Sequence, residues 1–344
     1  MGRGVSRYGI VDRNTPITTS VKETAGGLPA VISAWKHGVS KMGFVGSTVA
    51  LGKANQKRGF DCPGCAWPDP KHRSPFEYCE NGAKAISDEA TIKTIPDSFW
   101  QEHSIHALGR KSDQWLNSQG RLSRPLILER DSNHYVPSDW DRAIGIIAKS
   151  LDALEDPNDA YFYTSGRASN EAAYLWQLLA RQYGTNNLPD CSNMCHESSG
   201  VALNESIGIG KGTVRLEDFD KADLIVIVGQ NPGTNHPRML SALKSAKKSG
   251  ASVLSINPLK ETGMRRFRHP QSPIDMLGAG TQISDDHVNI KINGDMALFR
   301  AIGSIILDKG YHDPDFINLN TTGFLDYSKI CLLYTSDAAD DTPC

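Results

Sequence analysis

Ala222-Asp223-Leu224-Ile225-Val226-Ile227-Val228-Gly229 runs straight into Gln230-Asn231-Pro232-Gly233-Thr234-Asn235-His236. Leu224 to Val228 is an unbroken apolar run, mostly β-branched and without polar alternation, which predicts a buried parallel strand. The turn after it is dense in small and amide residues. It falls where open α/β sheets bind their ligands, at a strand's carboxyl end.

The pattern continues outward on both sides. Downstream, residues 236–249 predict a helix whose last turn is basic (Lys244, Lys247, Lys248), as its dipole favours. Strands follow at 251–258 and 288–292, and Asp295 opens a helix to about Asp308. Upstream, 126–130 reads as a short strand. Ser138-Asp139 caps a helix to about residue 154 on Ala143, Ile144, Ile147, Ala148 and Leu151. Residues 160–164 predict a further strand, and 169–183 a further helix. Strands alternating with helices predict a parallel, doubly wound α/β domain over 125–330. Its strand ends, Thr164-Ser165-Gly166-Arg167, 229–236 and Ile256-Asn257-Pro258, carry groups that hydrogen-bond phosphates and a nucleotide base. Ordinary strand-to-helix turns use the same residues, so His236 reads equally well as a helix-start residue without function. The basic run Lys260 to Arg268 reads by default as a solvated loop.

Ahead of this domain, residues 60–124 form a turn-rich cysteine unit and a connector rich in Trp and His. Cys62-x2-Cys65-x13-Cys79 lies among prolines and glycines that let a backbone fold around a metal. Iron–sulfur clusters use thiolates in this way, and zinc uses the same residues. Three cysteines are one short of an all-cysteine, four-ligand site, with His72 or Asp61 as the candidate replacements. A second cluster, Cys191-Ser192-Asn193-Met194-Cys195-His196-Glu197, sets a thiol beside an imidazole near a helix start. Cys195 reads as a metal-ligating thiolate with His196 as its acid/base partner. The rival is a cysteine nucleophile, but neighbouring side chains diverge and rarely pair as nucleophile and base.

The totals are those of an ordinary globular chain with length enough for two domains. The 344 residues are 39% hydrophobic and 22% charged, with a formal net charge of -2. That balance makes no electrostatic case for nucleic acid or an anionic membrane. The absence of a long apolar run or leader pattern predicts a cytoplasmic protein. Residues 1–59 read as an arm with weak periodicity. Residues 331–344 resemble a translated sequencing-adapter read-through and are set aside from fold reasoning.

Together these segments resemble the formate dehydrogenase alpha-subunit type of molybdopterin oxidoreductase, in its YdeP-like branch. The resemblance is carried by Phe60-Asp61-Cys62-Pro63-Gly64-Cys65-Ala66-Trp67-Pro68-Asp69-Pro70, by residues 163–173, by Cys191 to Glu197, by residues 229–240, and by Gly294-Asp295-Met296. It implies a bis(molybdopterin guanine dinucleotide) molybdenum centre and a [4Fe-4S] cluster. Cys195 matches the molybdenum-ligating cysteine or selenocysteine, and His196 the histidine tied to proton transfer. Cys62, Cys65 and Cys79 match three cluster ligands, the fourth being missing or non-cysteine. Gly229, Asn231, Thr234, Asn257, Pro258 and Asp295 match places that hold one guanine dinucleotide. Arg167, Asn170 and His236, in the same segments, join the cofactor-binding set. The lysine usual after the last cysteine is replaced by Glu80-Asn81-Gly82, and Glu197 stands where glycine commonly follows the Cys-His pair. The resemblance implies a small-molecule substrate and an electron-transfer partner protein. It also implies that the chain is the N-terminal part of a longer enzyme, inactive alone. The alternatives are a nitrate-reductase-like molybdoenzyme and a zinc-bound, non-redox binding protein of the same fold.

Overall fold

The computed structural model describes residues 22–65, 67–166 and 168–337, without the side chains of Leu277 and residues 332–337. Strand β1 (Ala25–Gly26) leads directly into helix α1 (Gly27–Lys53). The sequence predicts an arm here with at most a short helix near 31–38. The structure has a 27-residue helix, kinked at Gly43. Its buried positions are Gly27, Ala34, Gly38, Ser47 and Leu51, mostly small residues that leave no apolar stripe to read. Those small residues let α2 (Glu80–Glu89) pack closely, and Ala34, Leu51, Ala54, Ala83 and Ile86 form their joint core. Short helices over 97–118 gather a second core around Ile95, Trp100 and Leu108.

The strand predicted at 126–130 is two residues long. β2 (Leu126–Ile127) pairs only with β3 (Val136–Pro137), antiparallel. Helix α3 (Trp140–Asp152) starts where expected, its Arg142 N–H donating to the Asp139 cap at 2.7 Å. Residues 160–164 run extended but do not join the main sheet, contrary to the sequence reading. They lie beside 187–190 instead, through Phe162 N–H to Asn187 O at 2.9 Å and a parallel bridge from Thr164 to Asp190. Ala160 and Phe162 bury themselves against Ala180 of α4 (Asn170–Tyr183), a core of their own. Two helices then follow in close succession, α5 (Cys191–Cys195) and α6 (Glu197–Ile207).

The central sheet is built from β4 (Leu224–Val228), which helix α7 (Met239–Lys248) follows, and β5 (Ser252–Asn257). Next come β6 (Arg266–Arg268), β7 (Thr281–Gln282) and β8 (Asp286–Asn289). The order is β4-β5-β8, all parallel, with Val226 opposite Leu254 and Ile256 opposite Val288. Ile227 and Val253 face Met239, Leu240 and Leu243 of α7, and Met264, Phe267 and Ile283 close that core. The other face differs from expectation. Leu224, Val226 and Val228 are 58%, 42% and 37% exposed, so β4 is covered on one side only among the described residues. α8 (Asp295–Asp308) packs on α9 (Phe324–Asp337). The second helical layer of a doubly wound sheet therefore does not form among the described residues. The fold is mixed α/β. α9 continues through residue 331, and Cys331 is buried beside Gly303. A small sheet of β1, β6 and β7 ties the start of α1 to the α/β part. Among the described residues no helix is long and apolar enough to cross a membrane.

Candidate functional site

The three N-terminal thiols meet at the start of α2. Cys79 is the N-cap, and its sulfur accepts the Gly82 N–H at 3.3 Å. Cys62 Sγ accepts the Gly64 N–H at 3.4 Å. A Cβ on Gly82 would lie 2.7 Å from Cys62 Sγ and 3.7 Å from Cys79 Sγ, so glycine gives the Cys62 thiol room beside Cys79 at this helix end. Burial pushes the Cys79 thiol up, and the Cys65 and Cys62 sulfurs push it the same way. The N–H groups of Gly82 and Asn81 pull it down without winning. Among the described residues no set of three or more His, Cys, Asp or Glu side chains is placed to hold a single metal ion. His72 and Asp61 therefore do not complete such a site.

Sequence reading missed the residues that order these thiols. Asn55, just past α1, accepts the Cys62 N–H on Oδ1 at 2.8 Å and donates from Nδ2 to Glu77 O at 2.7 Å. Arg238 donates to Asp69 Oδ1 and to Glu77 Oε1, each at 2.8 Å. These contacts span 169 and 161 residues, which no local pattern announces. Burial pushes the Glu77 carboxyl up, but Ser74 and Arg238 outweigh it and hold it below the usual range.

Of the three predicted strand ends, 229–236 and 256–258 lie together, whereas 164–166 stand beside residues 190 and 191. Gly229 takes φ +64° with open space around its Cβ position, a conformation that favours glycine. Asn231 caps the turn Pro232–Asn235 and donates to Glu261 Oε2 at 2.8 Å. Asn257 donates to Gln230 O at 3.3 Å, and Asn289 to Pro258 O at 2.7 Å. His236 precedes helix α7 instead of opening it. Gln230 Nε2 lies 3.0 Å from His236 Nδ1. An amide nitrogen only donates, so Nδ1 is the acceptor in this contact. Asp295 opens α8. Asn81 donates to Thr234 O at 3.0 Å, and Trp67 packs 6.3 Å from the His236 ring. The cysteine unit thus docks directly on this edge.

The Cys195 stretch is organised locally. Asp190 accepts from Ser192 N–H and Asn193 N–H at 2.7 and 3.1 Å, and Asn193 Oδ1 accepts the Asp190 N–H in return. Asn193 Nδ2 donates to Glu197 Oε2 at 2.9 Å, which gives Glu197 a structural partner. His196 leaves helical geometry (φ -140°, ψ 11°) and caps α6, so Cys195 sits at the break between two helices. Cys195, His196 and Glu197 are all exposed. Cys191 is half-buried and accepts the Gly166 N–H at 3.1 Å. Asn170 stands exposed at the start of α4, and Arg167 lies outside the described residues. Among the described residues, the hydrogen bonds of residues 191–197 stay within 166–200 and do not reach the strand ends.

Residues 121–330 match the molybdopterin oxidoreductase family. The chain belongs to this family. The matched span holds the Cys195 stretch and every strand-end residue, whereas Cys62, Cys65 and Cys79 precede it. Among relatives of this molybdopterin oxidoreductase, an uncharacterized oxidoreductase of Mycobacterium tuberculosis is 49% identical over 327 residues, 93% of this chain and 42% of the relative. Protein YdeP of Escherichia coli is 46% identical over 316 residues, 89% of this chain and 42% of YdeP. Formate dehydrogenase H of Escherichia coli is 29% identical over 226 residues, 64% of this chain and 29% of that enzyme. The chain thus spans under half the length of the curated relatives it matches.

Proposed function

We propose that this chain contributes to the active centre of a formate-dehydrogenase-like oxidoreductase that uses a bis(molybdopterin guanine dinucleotide) molybdenum centre and a [4Fe-4S] cluster. The observation that carries the reading is the exposed Cys195–His196 pair at a helix break, inside the span that matches the family. The donors fit the groups. A soft thiolate open to its surroundings suits molybdenum, and three thiols gathered near a helix start suit an iron–sulfur cluster. A cluster spreads its ligands over several irons. Zinc would use the same thiols, so the metal content measured below separates the two.

When bound, the cofactors supply two-electron exchange with a small-molecule substrate and an outlet for the electrons to a partner protein. The chain's own residues do the rest. Cys195 holds the metal through its sulfur. His196 accepts or returns a proton on its ring. Gly229, Asn231, Thr234, His236, Asn257, Pro258 and Asp295, with Arg167 and Asn170, bind and orient the dinucleotide. Cys62, Cys65 and Cys79 anchor the cluster.

The test is anaerobic purification after growth with molybdate, with molybdenum, guanine nucleotide, iron and acid-labile sulfide counted per chain. The expected result is all four in the wild type, molybdenum lost in Cys195→Ser, and iron lost in Cys79→Ser. Zinc alone, without pterin fluorescence, overturns the reading. In the full-length protein, nitrate reduction in place of formate oxidation would assign the substrate otherwise.

A further inference from the structure

Cys62, Cys65 and Cys79 are one thiol short of a four-cysteine site, so something other than a fourth ligand must hold them in register. We propose that Asn55 and Arg238 are positioning residues that do this, together fixing the three thiols and tying them to the strand-end edge. The inference about the thiols' register stands on the contacts alone. Its relevance to a cluster rests on the function proposed above.

Asn55 takes φ 54°, a left-handed conformation that costs a non-glycine residue, and it is 4% exposed. Its single amide bonds the Cys62 N–H and the Glu77 carbonyl. The arm that begins the site is thereby joined to the arm that ends it. Cys62 and Glu77 belong to the two segments that bring Cys65 and Cys79 together.

Arg238 acts on the same loop. Its side chain is 10% exposed, and those of Asp69 and Glu77 are 18% and 15%. Asp69 lies soon after Cys65 and Glu77 just before Cys79, so one guanidinium grips both ends of the intervening loop. Arg238 also donates to Trp67 O at 3.3 Å. The remaining carboxylate oxygens are occupied: Arg73 lies 3.1 Å from Asp69 Oδ2, and the Ser74 N–H donates to Glu77 Oε2 at 2.9 Å. All four carboxylate oxygens thus have a partner, which narrows the geometries open to the group, although Arg238 Nε makes no hydrogen bond. Both carboxylates are bound by the one nitrogen Nη2 and the Trp67 carbonyl by Nη1, so lysine, with a single nitrogen, loses the second arm of this grip. Arg238 follows His236 closely in sequence, so the grip that spaces Cys65 from Cys79 also sets the cysteine unit against the Asn231–His236 turn.

The test is timed alkylation of the whole metal-free chain with iodoacetamide, each cysteine being followed by peptide mass spectrometry. In Asn55→Ala and in Arg238→Met, Cys79 should react about tenfold faster or more, from the loss of buried bonds that hold its loop. Arg238→Lys should fall between. Exposed Cys195 should keep its rate and buried Cys331 its protection. Cys79 as slow in both variants as in the wild type overturns the proposal. If Cys331 becomes reactive in either variant, Glu77→Gln decides. It keeps the size of the side chain and removes the charge: faster Cys79 supports the grip, and an unchanged rate defeats it. Iron and sulfide uptake is measured in parallel. A wild-type chain that binds no iron defeats the cluster reading, while the alkylation result still judges the positioning residues.

Discussion

At Asn55, side-chain bonding and backbone strain pull in opposite directions, and two substitutions separate them. Asn55→Gly relieves the left-handed conformation but orphans the Cys62 N–H and the Glu77 carbonyl, so a net loss of about 1–3 kcal/mol is expected. Asn55→Ala orphans the same groups and keeps the strain, and should be less stable than the glycine variant by about 1 kcal/mol. Urea unfolding of both checks the order. Gly82 poses the converse case. Alanine would favour helix α2 by about 0.5–1 kcal/mol. Its Cβ would press on Cys62 Sγ, the movable end of a side chain. Gly82→Ala should therefore unfold at about the wild-type urea concentration yet take up less iron and sulfide. Full uptake would show that the close approach is not needed.

Between elements, the seam of α1 and α2 sets where Cys79 stands. Ala83 is fully buried there, and Ala83→Leu should destabilise by about 1–3 kcal/mol through overpacking. The seam is also pinned by charge. Asp88 on α2 lies 2.8 Å from His37 Nε2 and accepts from Asn117 at 3.0 Å. Burial pushes the Asp88 carboxyl up, but the His37 and Asn117 bonds and the nearby His37 and Lys41 charges outweigh it and hold it below its usual range. A carboxylate whose folded value is depressed adds stability that is present above its unfolded value of about 3.9. That stability is lost as the pH falls through the folded value. Asp88→Asn should therefore flatten the acid limb of a plot of urea midpoint against pH, below about pH 4. An unchanged limb would remove Asp88 from the account. The elements legible in the sequence were those with strong apolar patterning: β4, β5, α3 and α8. α1 was not, because small residues fill its buried face. The 160–164 strand was legible as extended chain but not in its pairing, because apolar patterning does not name a partner.

Across the whole molecule, the open side of the β4–β5–β8 sheet and the outer faces of α3 and α4 leave large apolar groups exposed. Among them are Ile144, Ile147, Leu175 and Trp176. Exposed apolar surface promotes association. β4 is also an edge strand, where a lysine blocks pairing between copies. Val226→Lys should reduce self-association in sedimentation velocity at rising concentration, with stability changed by no more than about 0.5 kcal/mol. Undiminished association would place the sticky surface elsewhere, on α3 or α4.

The sequence alone determined the α/β character, the polar strand ends and the two cysteine clusters. Periodicity, turn chemistry and ligand spacing are local, and each is legible within a few residues. Tertiary structure decided what those segments meet. It separated residues 160–164 from the central sheet, turned the first helix into the support of Cys79, and docked the cysteine unit on the Asn231–His236 edge. It also set Arg238 between Asp69 and Glu77. The reason is that a buried charge or amide chooses its partners by proximity in the folded chain, and residues more than 150 positions apart leave no mark on one another's local sequence.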